Sequence, residues 1–342
     1  MTGTVKRGRF VGILAFSLVA LAILAQGARA TFPGDNGRLV FLRTDLTKQK
    51  GRSGVYTAGP AGRNLKQLTR SRFDYAPSFD PEATTIAFSH LQTGIEGADG
   101  NSPAPVFTIG VNGNELKKVT SYPSGPTFPG SPVYYPVVQT AAAGFSPDGQ
   151  HILYQANRIF IGTEFVLVDR DGLNPEVIAS WPDDEASGPV LSPRGNLVAF
   201  TRVAGPGLSR IVLMKSDGSG RRALTSGHLD TVSDFSANGR VVAFTRRIAA
   251  SGESDVFVKH LGTGKVRRLT HFTRLKTRFG NGAFSAYGGV FSPDGRFIAF
   301  TGVRRGLPAI YVARRDGSRV RRITPQDMTA TSPDWGPRPS SG

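Results

Sequence analysis

The stretch at 291–300, FSPDGRFIAF, is a tight turn followed by a strand, and it recurs along the chain. Ser292-Pro293-Asp294-Gly295 supplies the turn: proline pre-sets φ, aspartate bonds neighbouring backbone, and glycine takes a positive φ without steric cost. Phe297, Ile298, Ala299 and Phe300 then form a β-rich apolar run. Its sisters are GDNGRLVF at 34–41, FDPEATTIAF at 79–88, FSPDGQHILY at 145–154, LSPRGNLVAF at 191–200 and FSANGRVVAF at 235–244. With Pro293 as the reference, the equivalent positions are Asp35, Pro81, Pro147, Pro193 and Ala237, at successive spacings of 46, 66, 46, 44 and 56. A period in the forties, lengthened here and there by insertions, is the signature of propeller blades.

Each period has a second half. A short strand such as GVYTA, EFVLVD or AIYVAR leads into a turn such as Asn112-Gly113, Asp171-Gly172 or Asp316-Gly317. A last strand then ends in a shared signature: LKQLT at Thr69, LKKVT at Thr120, RRALT at Thr225, VRRLT at Thr270 and VRRIT at Thr324. The third copy deviates, with PEVIAS. Counting the strand before each SPDG turn, every period has four strands, A to D. The first period lacks its own strand A, and the segment at 330–335, ATSPDW, repeats one at the other end of the chain. The expected fold is therefore all-β: a six-bladed β-propeller of four-stranded antiparallel blades, its ring closed by the C-terminal strand. The expected organisation is a cleaved leader at 1–30, a propeller at 31–336 and a flexible tail at 337–342.

The leader rests on three features. Lys6, Arg7 and Arg9 precede an uninterrupted apolar and small-residue run at 10–25, and Ala28-Arg29-Ala30 fits a cleavage site, giving a mature start at Thr31. The alternative is an uncleaved N-terminal anchor. No cysteine occurs, which excludes a lipoprotein anchor, disulfides and cysteine nucleophiles. Loss of Lys6, Arg7, Arg9 and Arg29 takes four charges from the formal +17 and leaves +13. No compact block of basic residues accompanies that charge. A solvated arginine-biased surface explains it, and nucleic acid is disfavoured as a partner.

The FSPDG-x-x-I-A-F repeat, with its IYV and RRLT companions, resembles the WD40-like propeller repeats of the TolB family. Similar repeats occur in the propellers of prolyl-oligopeptidase-type enzymes. The resemblance covers residues 33–336 and recurs in every blade. Likeness to TolB implies an α/β domain before the propeller, and likeness to the peptidases implies an α/β-hydrolase domain. Neither finds room between the leader and the last repeat.

The residues that invite a chemical interpretation have structural ones as well. Asp148 and Asp294 stand where sister blades carry Arg194 and Asn238, so the position calls for a turn rather than a charge. Asp169-Arg170-Asp171-Gly172 lacks the ligands of a calcium loop and falls on a C–D turn. His90, His228 and His271 lie just past strand ends on one face, without a metal-binding spacing. No Gly-x-Ser-x-Gly elbow or phosphate-binding loop occurs. No cofactor and no metal are expected. The basic pairs before each terminal LT sit on the outer strand of each blade, where charge discourages edge-to-edge pairing; a rim for anionic polymer is the alternative.

The insertions are more informative. A–B and C–D turns share one face of a propeller and are short throughout. B–C and D–A connections share the other face, and the long segments all belong there: 90–101, 121–139 and 271–285. Tyr122, Phe128, Tyr134, Tyr135, Phe272, Arg274 and Arg278 in these segments are the candidate partner-binding residues, since aromatic and arginine side chains suit interfaces. The expected function is a secreted or periplasmic, monomeric, non-catalytic scaffold that binds a protein or a cell-envelope polymer through this face. The alternative is a secreted polysaccharide- or polymer-processing enzyme with a site at the channel mouth.

Overall fold

The computed structural model describes residues 29–45, 51–91, 104–120, 137–158, 162–182, 186–205, 207–226, 228–248, 252–275 and 284–339. Its strands form six antiparallel four-stranded sheets, one of which carries an additional strand. Blade 5 shows the pattern: strand A is Asp230–Phe235, B is Val241–Arg247, C is Ser254–His260 and D is Val266–Arg268. The other A strands are Asp74–Phe79, Val137–Phe145, Ala186–Leu191 and Phe284–Phe291 in blades 2, 3, 4 and 6, and Ala330–Pro337 in blade 1. Each A strand touches the A strands of both neighbouring blades, so these six strands line the axis and the ring is closed.

Closure occurs where the repeat analysis places it. The C-terminal strand Ala330–Pro337 pairs antiparallel with Asn36–Arg43, matching Leu39 with Trp335 and Val40 with Asp334. Just beyond this strand the Arg338 N–H donates to the Asp35 carbonyl at 2.7 Å.

The hydrophobic core lies in the seams between blades. Phe41 and Tyr56 of blade 1 pack with Ile310 and Val312 of blade 6, while Val40 and Leu42, on the other face of the same strand, pack with Phe79 and Phe88 of blade 2. Period-2 alternation thus feeds two seams from one strand.

The repeated polar letters have specific tasks. In the SPDG turn, Ser292 Oγ accepts the Phe297 N–H at 2.9 Å, and Asp294 Oδ1 accepts the Ser292 hydroxyl at 2.5 Å and the Arg296 N–H at 2.9 Å. Asp148 does the same beside Ser146 and Gln150, and these bonds hold its carboxyl below the usual range. The threonine of the LT signature accepts the first free N–H of strand C: Val55 to Thr69, Val106 to Thr120, Ile211 to Thr225, Val256 to Thr270 and Ile310 to Thr324, all at 2.9–3.2 Å.

The basic pair before it does more than charge an edge. Its first member reaches the C–D turn of the next blade, as Arg267 does to the Arg315 and Asp316 carbonyls, Arg321 to Pro60 and Lys66 to Asn112. Its second member ties down the chain leaving the blade, as Arg268 does to the Thr270 carbonyl and Arg322 to those of Thr324 and Met328. Strand D is correspondingly short, often two residues, because its end turns away to make these bonds.

The C–D turns also press against the preceding blade. A Cβ on Gly317 would lie 2.3 Å from the Leu269 carbonyl, whereas one on Gly264, with a similar positive φ, would meet nothing within 4 Å. Register shifts in strand A leave an N–H free to cross the seam. Val232, Gly288 and Ser332 donate to Thr201, Thr245 and Thr301 of the preceding blade's strand B.

Candidate functional site

The face opposite the SPDG turns receives the ends of every B strand. Tyr122, Phe128, Tyr134, Tyr135 and Arg278 lie outside the described residues. Phe272 and Arg274 are described, and the structure separates them. Phe272 is 3% exposed. Its ring packs edge-on against Phe300 at 5.5 Å and Tyr311 at 5.2 Å, in the seam between blades 5 and 6. It anchors its segment and presents no surface to a partner, a correction to the expectation for this residue. Arg274, at the end of the short 3-10 turn Phe272–Arg274, is exposed.

The anchor is built by Asp255, whose side chain is fully buried. Its Oδ1 accepts the Thr270 hydroxyl at 2.6 Å and the Phe272 N–H at 2.8 Å. Its Oδ2 accepts the Thr273 hydroxyl at 2.8 Å and an Arg268 N–H at 2.5 Å. Arg268 and Asp255 therefore fix the root of the connection that begins at His271. His271, exposed beside them, is held below its ordinary pKa by partial burial and by Arg268 and Arg274.

Blade 2 has a related root. Asp74, its side chain 2% exposed, accepts the Thr69 hydroxyl and sits 2.6 Å from His90 Nδ1. Burial pushes the Asp74 carboxyl up, against the bonds from Thr69 and His90. The pair recurs as Asp230 and Arg246 in blade 5, with a bidentate contact at 2.7 and 2.8 Å. His90 therefore occupies a clamp position.

Sequence reasoning singled out His90 but missed that it belongs to a set of basic residues at or near the end of every B strand, with Arg43, Arg158, Arg202, Arg246 and Arg304. The signal lay in FLR, FSH, YQANR, FTR and FTGVR, two or four residues past the aromatic and so on its side of the strand. Blade 6 uses the later position because Phe272 fills the earlier one: a Cβ on Gly302 would lie 2.6 Å from the Phe272 ring. Arg304 instead stacks over Phe272 and Tyr311 at 5.2 and 5.3 Å. Arg158 pairs with Glu164 at 2.6 Å.

His90, His228 and His271 are not brought together, and among the described residues no group of three His, Cys, Asp or Glu side chains could hold a metal ion. The buried carboxylates beside the axis serve the ring itself: Asp334 accepts the Phe79 N–H at 2.8 Å and Asp234 the Phe291 N–H at 2.7 Å, each across a seam.

These features define a six-bladed, C-terminally closed β-propeller with its long connections on one face. No family model matches the chain. Over 104 residues it is 38% identical to the Tol-Pal system protein TolB of Gluconobacter oxydans, covering 30% of this chain and 22% of that protein. Over 203 residues it is 30% identical to an uncharacterized protein of Agrobacterium fabrum, covering 58% of this chain and 61% of the relative. The chain thus spans less than two thirds of both relatives. The crystal structure of TolB from Acinetobacter baumannii superposes with a TM-score of 0.68 at 20% identity, over 90% of this chain and 68% of that one. The chain is a TolB-like β-propeller. Among the described residues no helix is long and apolar enough to cross a membrane.

Proposed function

We propose that the protein is an exported, soluble binding scaffold of the cell envelope that holds a protein partner on its B–C/D–A face. The observation that carries this reading is the inequality of the two faces. The SPDG and Asp-Gly face is committed to seam bonds, as with Arg267 on Arg315 and Asp316, and to close packing, as with Gly317 on Leu269. The long connections leave strand ends on the opposite face, after His90, Lys118 and Arg268. A rigid ring that carries variable segments on one side is the usual architecture of a recognition surface. The TolB relatives, part of a Tol-Pal system by name, support an envelope location and a protein as the partner. Tyr122, Phe128, Tyr134, Tyr135, Arg274 and Arg278 are the contact residues under this proposal, and Phe272 anchors the turn that carries Arg274.

The scaffold reading is preferred over the polymer-processing one because Asp234 and Asp334 beside the axis already bind backbone N–H groups of the next blade. Deletion of 124–131 tests the proposal in a pull-down from envelope extract. Capture is expected to be lost while thermal unfolding stays unchanged. Full capture by the deletion variant would overturn the assignment of the site.

A further inference from the structure

The ring has one strand more than its blades need. Arg29 and Ala30 pair in parallel with Asp234 and Phe235, on the axis side of strand A in blade 5. They also lie against the A strands of blades 3 and 4, so this segment runs inside the bore. Thr31 follows at 1% exposure, its hydroxyl 2.5 Å from Asp234 Oδ2 and 3.2 Å from the Phe291 carbonyl of blade 6. Phe32, at 5%, packs with Ala87 and Val106 of blade 2 and Phe145 and Ile152 of blade 3. In a ring of six, blade 5 stands opposite blade 2 and blade 6 opposite blade 3. Two successive residues therefore grip opposite walls and form a floor across the bore.

We propose that leader removal at the Ala30–Thr31 bond creates an N-terminal ammonium that the buried carboxylate of Asp234 holds, fastening the first residue of the mature chain across the ring. The inference rests on the leader being cleaved there, as the exported reading under Proposed function requires. Hydrolysis breaks the Ala30 carbonyl–Thr31 nitrogen bond. Water supplies the hydroxyl of the departing Ala30 carboxyl group and a proton to the Thr31 amine, which a second proton from solvent makes an ammonium at neutral pH. Within one threonine the nitrogen and the hydroxyl oxygen are about 3–4 Å apart. The new charge thus arises within about 6 Å of Asp234 Oδ2 without any movement, the range in which an opposite charge favours the ionised amine. In the uncleaved chain the same atom is a neutral amide. Processing also removes Arg29 and Ala30 from the bore, leaving a well that ends at Thr31 and Phe32. Because Thr31 is enclosed, cleavage has to precede closure of the ring.

The test compares three chains, one beginning at a free Thr31, one N-acetylated at Thr31 and one extended by Ala30, each with Asp234 and with Asp234→Asn. With Asp234, acetylation or extension is expected to lower the melting temperature by several degrees. With Asp234→Asn, the three chains are expected to melt together. The difference should fade as pH rises through the amine's pKa, which the carboxylate raises above its ordinary value of about 7.7–8.0. Equal melting of free and acetylated chains with Asp234, or the same drop in both backgrounds, overturns the proposal. Should Asp234→Asn fail to fold, reductive methylation of the native free chain decides: slow modification of the Thr31 amine is expected, and modification as fast as in the unfolded chain overturns it. N-terminal sequencing of exported protein tests the leader separately. A start other than Thr31 refutes that reading, while the melting comparison still judges the ammonium contact.

Discussion

Blades 2 and 5 stand opposite each other and close the same end of the A–B strand pair with different chemistry. Blade 5 holds Arg246 bidentately on the fully buried Asp230, and Arg268 on Asp255. Blade 2 holds His90 on Asp74, 32% and 2% exposed in their side chains. Arginine carries its charge at every accessible pH and donates in a rigid fork, whereas histidine offers a cation only when protonated. Blade 2, which carries two of the insertions, 90–101 and 121–139, has the conditional clamp, and blade 5, which carries one, has the permanent one. Connections can be elaborated on either blade, and blade 5 binds the root of its connection through a hub of charge-assisted bonds on Asp255.

The comparison can be broken most severely at Asp255. Asp255→Ala strands the buried Thr270 hydroxyl and the Phe272 N–H and leaves Arg268 without its carboxylate. A loss of about 3–5 kcal/mol is expected in urea unfolding, and a loss under 1 kcal/mol would mean the knot is incidental. The next largest effect concerns the other face. Gly317→Ala drives a methyl group into the Leu269 carbonyl, while Gly264→Ala meets open space at a similar φ. The first should cost roughly 1–3 kcal/mol more than the second, and equal losses would show that φ alone sets the cost.

Converting the clamps into each other has smaller effects. Arg246→His gives blade 5 the chemistry of blade 2 and should cost about 2 kcal/mol at pH 8, with part of it regained at lower pH as the imidazole protonates beside Asp230. A pH-independent loss would show that shape rather than charge matters. The reverse change, His90→Arg, acts through Asp74. Burial raises that carboxyl, so it favours the fold below its unfolded value of about 3.9 and loses that contribution as pH rises through the raised one. His90→Arg should move this loss to lower pH, and His90→Ala should move it to higher pH. Unfolding free energies measured from pH 3 to 8 would decide, and superimposable profiles for all three proteins would remove the coupling.

The ring was legible because its determinants are local and repeated. SPDG turns, Asp-Gly turns and the terminal ATSPDW each announce themselves within ten residues. What those letters do was less legible, because the partners lie one blade away. Nothing near Arg267 or Arg321 in sequence indicates that their guanidinium groups reach the next C–D turn, so they resembled charges guarding an edge. Phe272 resembled a surface aromatic because its burial depends on Asp255, seventeen residues upstream, and on the space left by Gly302. The collar at the ends of the B strands escaped notice because its register shifts by two residues in blades 3 and 6. Tyr122, Phe128, Tyr134, Tyr135 and Arg278 fall outside the described residues.

The pairing of Asn36–Arg43 with Ala330–Pro337 sets an order of events. The first strand of the ring to emerge receives its inner partner only when the last one arrives. Until then blade 1 has three strands and an open ladder on the side of Leu39 and Phe41, and the growing protein is an arc rather than a ring. A chain crossing a membrane N-terminus first would expose this edge throughout its passage. The arrangement makes blade 1 a record of how far synthesis has gone: its four strands come together only on molecules that have been made past Pro337.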